Sequence, residues 1–231
     1  MKKLKIAAIS IIAVLLILIG VFYVYTLDYY KADDFALNAF ATEKNNIQVQ
    51  NNMIVFSPDK QNENEAALIF YPGGKVEAIA YIPLLEKLMQ NGVTCVLVKM
   101  PFNLAVFNIN AADSIYEKLP EIKNWYIGGH SLGGAMASSY AEKNNNKLKG
   151  LILLGAYPVN DSDITTITIY GSEDKILDKS KLENTGNMLE ILGGNHAYFG
   201  NYGEQKGDGI AFITREEQQE ETVEAIIRFI R

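Results

Sequence analysis

A serine set between glycines is the strongest chemical signal in the sequence. The pattern Gly129-His130-Ser131-Leu132-Gly133 follows an apolar run at 124–129 and precedes residues with helical spacing. In that context G-x-S-x-G is typical of a sharp strand-to-helix turn with the serine at its apex. Glycine is needed two positions to either side because larger side chains would collide in the turn. We therefore predict that Ser131 is a nucleophile; the alternative is a glycine-rich turn with an idle serine.

A serine hydroxyl is a weak nucleophile and needs a base within hydrogen-bond reach. The sequence contains two histidines, His130 and His196. His130 adjoins the serine, but a sharp turn directs neighbouring side chains apart, so we expect it to have a structural role. By elimination His196, in the segment GGNHAYFGNYG, is the predicted base. The alternative for His196 is a histidine in a surface loop.

A carboxylate should orient the histidine and stabilise its charged form. The segment TIYGSEDKIL places Glu173 and Asp174 directly after a predicted strand, between the predicted nucleophile and base. We predict Asp174, because a G-x-x-D turn is the common arrangement there, and Glu173 remains the alternative. Asp161 and Asp163 precede that strand and would lie at the opposite edge of the sheet. The predicted order along the chain is serine, aspartate, histidine.

Backbone N–H groups could stabilise the oxyanion that forms when a serine attacks a carbonyl carbon. Leu132 would be the first residue of the helix after the serine, and its N–H has no partner within that helix. The second donor should come from the loop after an early strand, and the glycines of IFYPGGKV, 69–76, fit this place. Gly74 is the first candidate and Lys75 the second; the alternative is an ordinary Pro-Gly turn.

Short apolar runs separated by turn residues indicate the elements that must position these groups. NIQVQ and MIVFS flank Asn51-Asn52 and predict a β-hairpin. Most later strands are apolar on both faces and alternate with helices, which predicts a mostly parallel sheet with helices on both faces, an α/β fold. The predicted strands are 66–71, 93–100, 124–129, 150–157, 164–171 and 188–194. The predicted helices are 81–92, 111–119, one after Ser131, and one that begins at Thr214 with a capping box to Glu217.

The N-terminal segment differs from the rest of the chain. Three lysines precede a run from Ile6 to Tyr25 in which Ser10 is the one clearly polar residue. This run is long enough to cross a bilayer as a helix and longer than the apolar part of a cleaved signal peptide. The lysines favour a cytoplasmic N-terminus. We expect a single-pass protein of the cell membrane with its domain on the extracytoplasmic side; the alternative is a cleaved signal peptide and a secreted domain.

This gives an anchor or signal peptide at 1–25, a polar linker at 26–45 and one domain at 46–231. The net charge of -6 and the pI of about 5.1 argue against a nucleic-acid partner. The single cysteine, Cys95, excludes an intramolecular disulfide and a metal site built from cysteines.

The segments YPGG, GGHSLGGA, GSEDK and GGNHAYFGNYG together resemble the α/β-hydrolase superfamily, from about residue 66 to the C-terminus. GGHSLGGAMA and HAYFGNYGEQKGDG are more narrowly similar to the small lidless group called α/β-hydrolase family 5, related to dienelactone hydrolases. The resemblance implies a Ser-His-Asp triad, no metal and no organic cofactor. The dienelactone hydrolases use cysteine as the nucleophile, whereas this sequence has serine.

The resemblance implies no cap domain, and the chain is short where relatives insert a lid: only PVNDSDI separates two predicted strands. A crossover between parallel strands usually needs a dozen residues or more. We expect an open site that takes small or extended soluble substrates. The polar segment 201–219 either borders that site or is a solvated loop.

The expected activity is hydrolysis of an ester-type acyl bond in a small molecule through an acyl-enzyme. Two alternatives remain: acyl transfer by the same triad, and a non-catalytic extracellular binding domain.

Overall fold

The computed structural model describes residues 2–42, 46–60, 65–159, 163–182 and 186–231. Within these ranges it contains six α-helices and eight strands. The helices are α1 Lys2–Leu27, α2 Asp34–Ala41, α3 Ile82–Gln90, α4 Asp113–Tyr116, α5 Leu132–Lys143 and α6 Arg215–Ile230. The strands are β1 Ile47–Gln50, β2 Met53–Phe56, β3 Ala66–Tyr71, β4 Thr94–Val98, β5 Asn124–His130, β6 Gly150–Leu154, β7 Thr166–Gly171 and β8 Asn187–Ile191.

All eight strands form one sheet in the order β1-β2-β4-β3-β5-β6-β7-β8. β1 pairs with β2 and β2 pairs with β4 in antiparallel fashion, and the other pairs are parallel. The predicted hairpin and the mostly parallel sheet are therefore confirmed. Since β3 to β8 run in one direction, their carboxyl ends meet along one edge of the sheet, which we call the carboxyl edge.

Hydrophobic cores lie on both faces of the sheet. On one face α3 and α6 pack against the strands, with Leu84 and Ile226 fully buried. On the other face α5 contributes Ala137 and Tyr140, and Ile115 of α4 joins them. Two covered faces explain why β3, β4 and β6 are buried at every position.

One predicted helix differs from the structure. The helix expected at 111–119 is only one turn, α4, because its polar residues bury little surface and Pro120 disfavours helical geometry at the residue before it. The connection from β6 to β7 has no helix in its described parts, 155–159 and 163–165. The capping box is confirmed: Thr214 Oγ1 accepts from the N–H of Glu217, whose carboxylate accepts from the N–H of Thr214.

Part of the segment expected to be a linker, 26–45, packs against the domain. Asp33 caps α2, and its carboxylate accepts a hydrogen bond from Arg215 at 2.8 Å. The N–H of Asp33 also donates to the carbonyl of Asn201 at 2.8 Å. Ala36 of α2 is fully buried in the core. Residues 26–42 therefore follow the surface of the domain; 43–45 lie outside the described residues.

The N-terminal helix projects from the domain. Its segment Lys5–Leu27 is long and apolar enough to cross a membrane, a property that a signal sequence near the N-terminus shares. The domain contacts this helix at its C-terminal end, where Thr26 is buried and Phe22 half-buried. Among the side chains of α1 whose exposure the structure describes, those packed against the domain lie in the last turns of the helix.

Candidate active site

Ser131 lies at the turn between β5 and α5. Its φ of 52° and ψ of -123° place it in a strained conformation that a non-glycine residue rarely adopts. A Cβ at Gly129 would lie 2.6 Å from backbone atoms of Gly133 and Tyr71, and a Cβ at Gly133 would clash with the carbonyls of Tyr71 and Pro72. Three backbone segments come so close together here that both glycines of the motif are required. The tight turn places Ser131 above the carboxyl edge of the sheet.

His196 and Asp174 form a buried pair. His196 Nδ1 lies 2.7 Å from Asp174 Oδ2, and both side chains are almost fully buried. The other carboxylate oxygen accepts from the N–H groups of Ile176 at 2.9 Å and Leu177 at 2.8 Å. The carboxylate is therefore fixed as an acceptor, so His196 Nδ1 carries the proton and Nε2 is the basic nitrogen.

Ser131 and His196 line the same cavity, of about 280 Å³, together with Leu132, Tyr157 and Leu177. His196 Nε2 is buried and has no hydrogen-bond partner among the described residues. The structure thus brings the serine and the histidine to one cavity without a hydrogen bond between them. Such bonds are often long before a substrate binds.

Gly155, at the end of β6, leaves room for the pair of His196 and Asp174. A Cβ there would lie 2.8 Å from His196 Nδ1 and 3.2 Å from Asp174 Oδ2, and the φ of Gly155 is +52°. Sequence reasoning did not identify this residue. The glycine that ends the apolar run LILLG is a signal, but only the fold shows what it faces.

Among the described residues, neither Glu173 nor Asp163 is hydrogen-bonded to His196. Glu173 Oε1 accepts a hydrogen bond from Ser172 Oγ at 3.1 Å, within its own turn. Asp163 precedes β7 and so lies at the amino end of that strand. Asp161 lies outside the described residues. Asp174 is the carboxylate that the structure pairs with His196.

The two candidates for the second oxyanion donor differ in their hydrogen bonds. The N–H of Lys75 donates to the carbonyl of Asn103 at 2.8 Å, and is therefore occupied. The N–H of Gly74 has no partner among the described residues, and the glycine lies against the Leu132 side chain, where a Cβ would come within 2.7 Å. The N–H of Leu132 is likewise unpaired at the start of α5. The geometry favours Gly74 over Lys75.

His130, expected to be structural, contacts the predicted base. It is fully buried, its Nδ1 lies 2.8 Å from the hydroxyl of Tyr81, and its ring centroid lies 4.4 Å from that of His196. Burial, and then the neighbouring His196 imidazole, hold the pKa of His130 well below the usual value for histidine. Local sequence gives no signal for this contact, because it joins the last residue of β5 to the loop that follows β8.

The polar segment 201–219 holds the loop of His196 in place. Asp208 Oδ2 accepts from the N–H of Ala197 at 2.9 Å, and Asn195 Nδ2 donates to the carbonyl of Gly209 at 2.9 Å. At the start of α6, Gln218 donates to the carbonyl of Asn195 and accepts from its N–H. The hydrogen bonds from this segment therefore fix the position of the loop that carries His196.

Residues 67–220 match the model of the alpha/beta hydrolase family. The match covers more than half of the chain, which therefore belongs to this family of hydrolases. A comparison with curated proteins gave no match.

Solved structures with the same fold include small serine hydrolases without a lid. A serine hydrolase without lid from Xanthomonas campestris has 13% identity and a TM-score of 0.55, covering 81% of this chain and 96% of its own. Dienelactone hydrolase from Anabaena variabilis has 15% identity and a TM-score of 0.56, with 78% and 92% covered. A serine hydrolase homologue from Coxiella burnetii has 11% identity and a TM-score of 0.57, with 82% and 99% covered. The resemblance to lidless, dienelactone-hydrolase-like proteins is confirmed at the level of fold.

Proposed function

We propose that the protein is a serine esterase that cleaves small acyl esters through an acyl-enzyme. Ser131 is the nucleophile, His196 the general base and Asp174 the carboxylate that orients it. The N–H groups of Leu132 and Gly74 bind the oxyanion. The observation that carries the proposal is the buried 2.7 Å pair of His196 and Asp174 on the cavity that Ser131 lines.

In the first half-reaction the Ser131 hydroxyl attacks the carbonyl carbon while its proton passes to His196 Nε2. Asp174 stabilises the imidazolium through Nδ1, and the N–H groups of Leu132 and Gly74 stabilise the tetrahedral oxyanion. The imidazolium then protonates the departing alkoxide, and the acyl group stays on Ser131. In the second half-reaction His196 takes a proton from water as the water oxygen attacks the acyl carbon. The bond between that carbon and Ser131 Oγ then breaks, Oγ takes the proton back from His196, and the carboxylic acid leaves.

The hydrogen bond between Ser131 and His196 must form as substrate binds. His196 lines the cavity, and its Nε2 has no competing partner among the described residues. Asp174 and the two N–H groups it accepts from hold the imidazole in place, so we expect the serine side chain to move toward it.

We further propose that α1 is an uncleaved membrane anchor and that the domain lies on the extracytoplasmic side. The apolar span Lys5–Leu27 and the N-terminal lysines support this placement. N-terminal sequencing of the mature chain should start at residue 1 or 2, and protease added outside intact cells should degrade the domain. A mature N-terminus within 26–45 would instead indicate secretion.

The chemistry is tested by Ser131→Ala with p-nitrophenyl acetate as substrate. Turnover should fall to the level of buffer, and labelling by a fluorophosphonate probe should disappear. Ser139→Ala, on the same helix, is the control and should retain both. Undiminished turnover by Ser131→Ala would refute the assignment.

A further inference from the structure

An apolar surface surrounds the point where α1 meets the domain. We call Phe22, Phe102, Val106 and Phe107 the juxtamembrane surface. The rings of Phe102 and Phe107 lie 5.4 and 5.5 Å from that of Phe22 and 5.7 Å from each other. Phe102 and Phe107 are still 51% exposed, and Val106 is 43% exposed. Folding therefore leaves a contiguous apolar patch beside the helix, which is a feature of interaction sites.

The length of α1 determines how deep this surface would lie in a bilayer. From Lys5 to Val21 the helix rises about 24 Å, at about 1.5 Å per residue. The hydrocarbon layer is about 30 Å thick. To span it, the helix must place Phe22 inside or at the boundary of that layer. Because Phe102 and Phe107 contact Phe22, they lie at the same depth.

The loop after β4, which carries Phe102 and Phe107, has a strained backbone. Phe102 and Asn103 are consecutive non-glycine residues with φ of 56° and 54°. Such conformations persist only where the surroundings enforce them, and they mark functional segments. Here the carbonyl of Asn103 accepts from the N–H of Lys75, so the loop is tied to the loop of the candidate oxyanion donors.

The polar residues next to this surface suit the boundary between lipid and water. Lys75 Nζ lies 4.3 Å from the ring centroid of Tyr25 and forms a 2.8 Å ion pair with Asp28. Lysine and tyrosine with apolar bodies and polar ends are enriched at membrane interfaces. Phe22 contacts aromatic rings, whereas Asp28, six positions further along the chain, forms an ion pair. The contacts of the chain thus change from apolar to polar over this short distance.

The loop after β4 that carries Phe102 and Phe107 also adjoins the candidate active site. Ala105 is buried against the side of the sheet that carries α5, the helix that begins after Ser131. Gly74 precedes Lys75 and lies against Leu132, which lines the cavity. The juxtamembrane surface and the cavity therefore belong to the same carboxyl edge of the sheet.

We propose that the juxtamembrane surface is embedded in the bilayer that α1 spans, and that the site takes amphiphilic esters held at the bilayer surface. The occupant is lipid rather than protein because the surface is continuous with the membrane-spanning helix through Phe22. This inference rests on the proposed anchoring and, for the substrates, on the proposed esterase activity. It replaces the expectation of soluble substrates that the absence of a lid alone favoured.

The embedding is tested with full-length protein in phosphatidylcholine vesicles. Burial raises the pKa of the Cys95 thiol, so this native cysteine should not react, and single cysteines can be labelled selectively. Val106→Cys is compared with Met188→Cys, which is equally exposed, at 42%, near the amino end of β8. Each carries a nitrobenzoxadiazole probe, and spin-labelled phosphatidylcholine is the quencher.

The fluorescence emission of the probe at position 106 should shift to the blue, and spin-labelled lipid should quench it several-fold more than the emission of the probe at position 188. Equal quenching at both positions, with protein that floats with the vesicles, would overturn the proposal. So would a blue shift at 106 in detergent together with dimeric protein, which would make this surface an interface between copies. This measurement does not depend on catalysis.

The substrate class is tested with a double variant, Phe102→Asn with Phe107→Asn, because asparagine tolerates the left-handed conformation at 102. Hydrolysis of a long-chain p-nitrophenyl ester in vesicles should fall roughly tenfold, since two apolar side chains leave the bilayer. Hydrolysis of soluble p-nitrophenyl acetate should not change, and Met188→Asn should change neither.

An equal loss on both esters, or no loss on the vesicle ester, would contradict the proposal. If the parent protein cleaves neither ester, the esterase assignment fails, while the quenching result still decides whether the surface is embedded.

Discussion

The imidazole rings of His130 and His196 lie with their centroids 4.4 Å apart, at an angle of 47°. His130 Nδ1 lies within hydrogen-bond distance of the Tyr81 hydroxyl, at 2.8 Å, and that hydroxyl accepts from the N–H of Gly73. A ring with a lowered pKa thus lies beside the ring that takes up a proton in the proposed mechanism. The chain of hydrogen bonds connects the loop of the candidate oxyanion donors to the environment of the base.

Tyr81→Phe should weaken this connection without creating a cavity. It leaves the N–H of Gly73 and Nδ1 of His130 without a partner in the buried interior, which costs about 1–3 kcal/mol of the free energy of unfolding. We expect kcat for p-nitrophenyl acetate to fall as well. Gly73 loses its hydrogen bond to Tyr81, and the candidate oxyanion donor Gly74 is the next residue. Urea unfolding and steady-state kinetics measure the two effects.

The control for Tyr81 is Tyr126→Phe, whose hydroxyl makes a 3.4 Å bond at a partly buried position. It should change stability by less than about 0.5 kcal/mol. Equal behaviour of the two variants would show that the hydroxyl of Tyr81 has no special role.

His130→Gln should change how stability depends on pH. The folded-state pKa of His130 is lowered, first by burial and then by His196, whereas the unfolded chain titrates near about 6.5. Below about pH 6.5 the unfolded state binds the extra proton, so the free energy of unfolding falls by up to about 1.4 kcal/mol per pH unit. The variant lacks this contribution and should lose stability less steeply on acidification.

Urea unfolding at several pH values, followed by the fluorescence of Trp125, the one tryptophan, measures this difference. Trp125 is buried and should report the loss of the core. Parallel stability curves for the parent and the His130 variant would contradict the prediction.

Asp174→Asn should lower kcat roughly 10⁴-fold, because an asparagine favours the wrong tautomer of the histidine and does not stabilise the imidazolium. Glu173→Gln is the matched control, since its carboxylate lies on the same turn but bonds to Ser172. It should retain activity within a few-fold. The opposite ranking of the two variants would make Glu173 the catalytic carboxylate.

Gly74→Ala should reduce kcat on the order of 10²-fold with little loss of stability. The added Cβ would lie 2.7 Å from Leu132 Cδ2 and 3.1 Å from its Cβ, so the Leu132 side chain and the loop of Gly74 must shift relative to each other. Gly20→Ala, which meets no atom within 4 Å, is the control for the added methyl group. Unchanged kcat in Gly74→Ala would exclude this loop as an oxyanion donor.

Sequence reasoning predicts the fold and the candidate triad because both depend on local patterns. Apolar periodicity locates the strands, and glycines at 129 and 133 mark the turn that carries Ser131. The chain order then identifies Asp174, which the structure pairs with His196. These conclusions need only the rule that carboxyl ends of parallel strands meet at one edge.

Contacts between distant segments could not be predicted in this way. The choice between Gly74 and Lys75 depends on Asn103, whose carbonyl occupies one of the two N–H groups. The packing of α2 depends on Arg215, at the far end of the chain, which binds Asp33. No local pattern reports either partner, because both arise from the way the loops meet after folding.

The ion pair between Asp33 and Arg215 has a consequence for how the enzyme would meet its substrate. It fixes the start of α2 to the start of α6, so the chain leaves the end of α1 along the protein surface rather than as a free tether. With α1 anchored in a bilayer as proposed, a domain held against its anchor in this way would not move freely into the bulk solution. Its encounters with substrate would then be two-dimensional, governed by the lateral diffusion of molecules in the membrane.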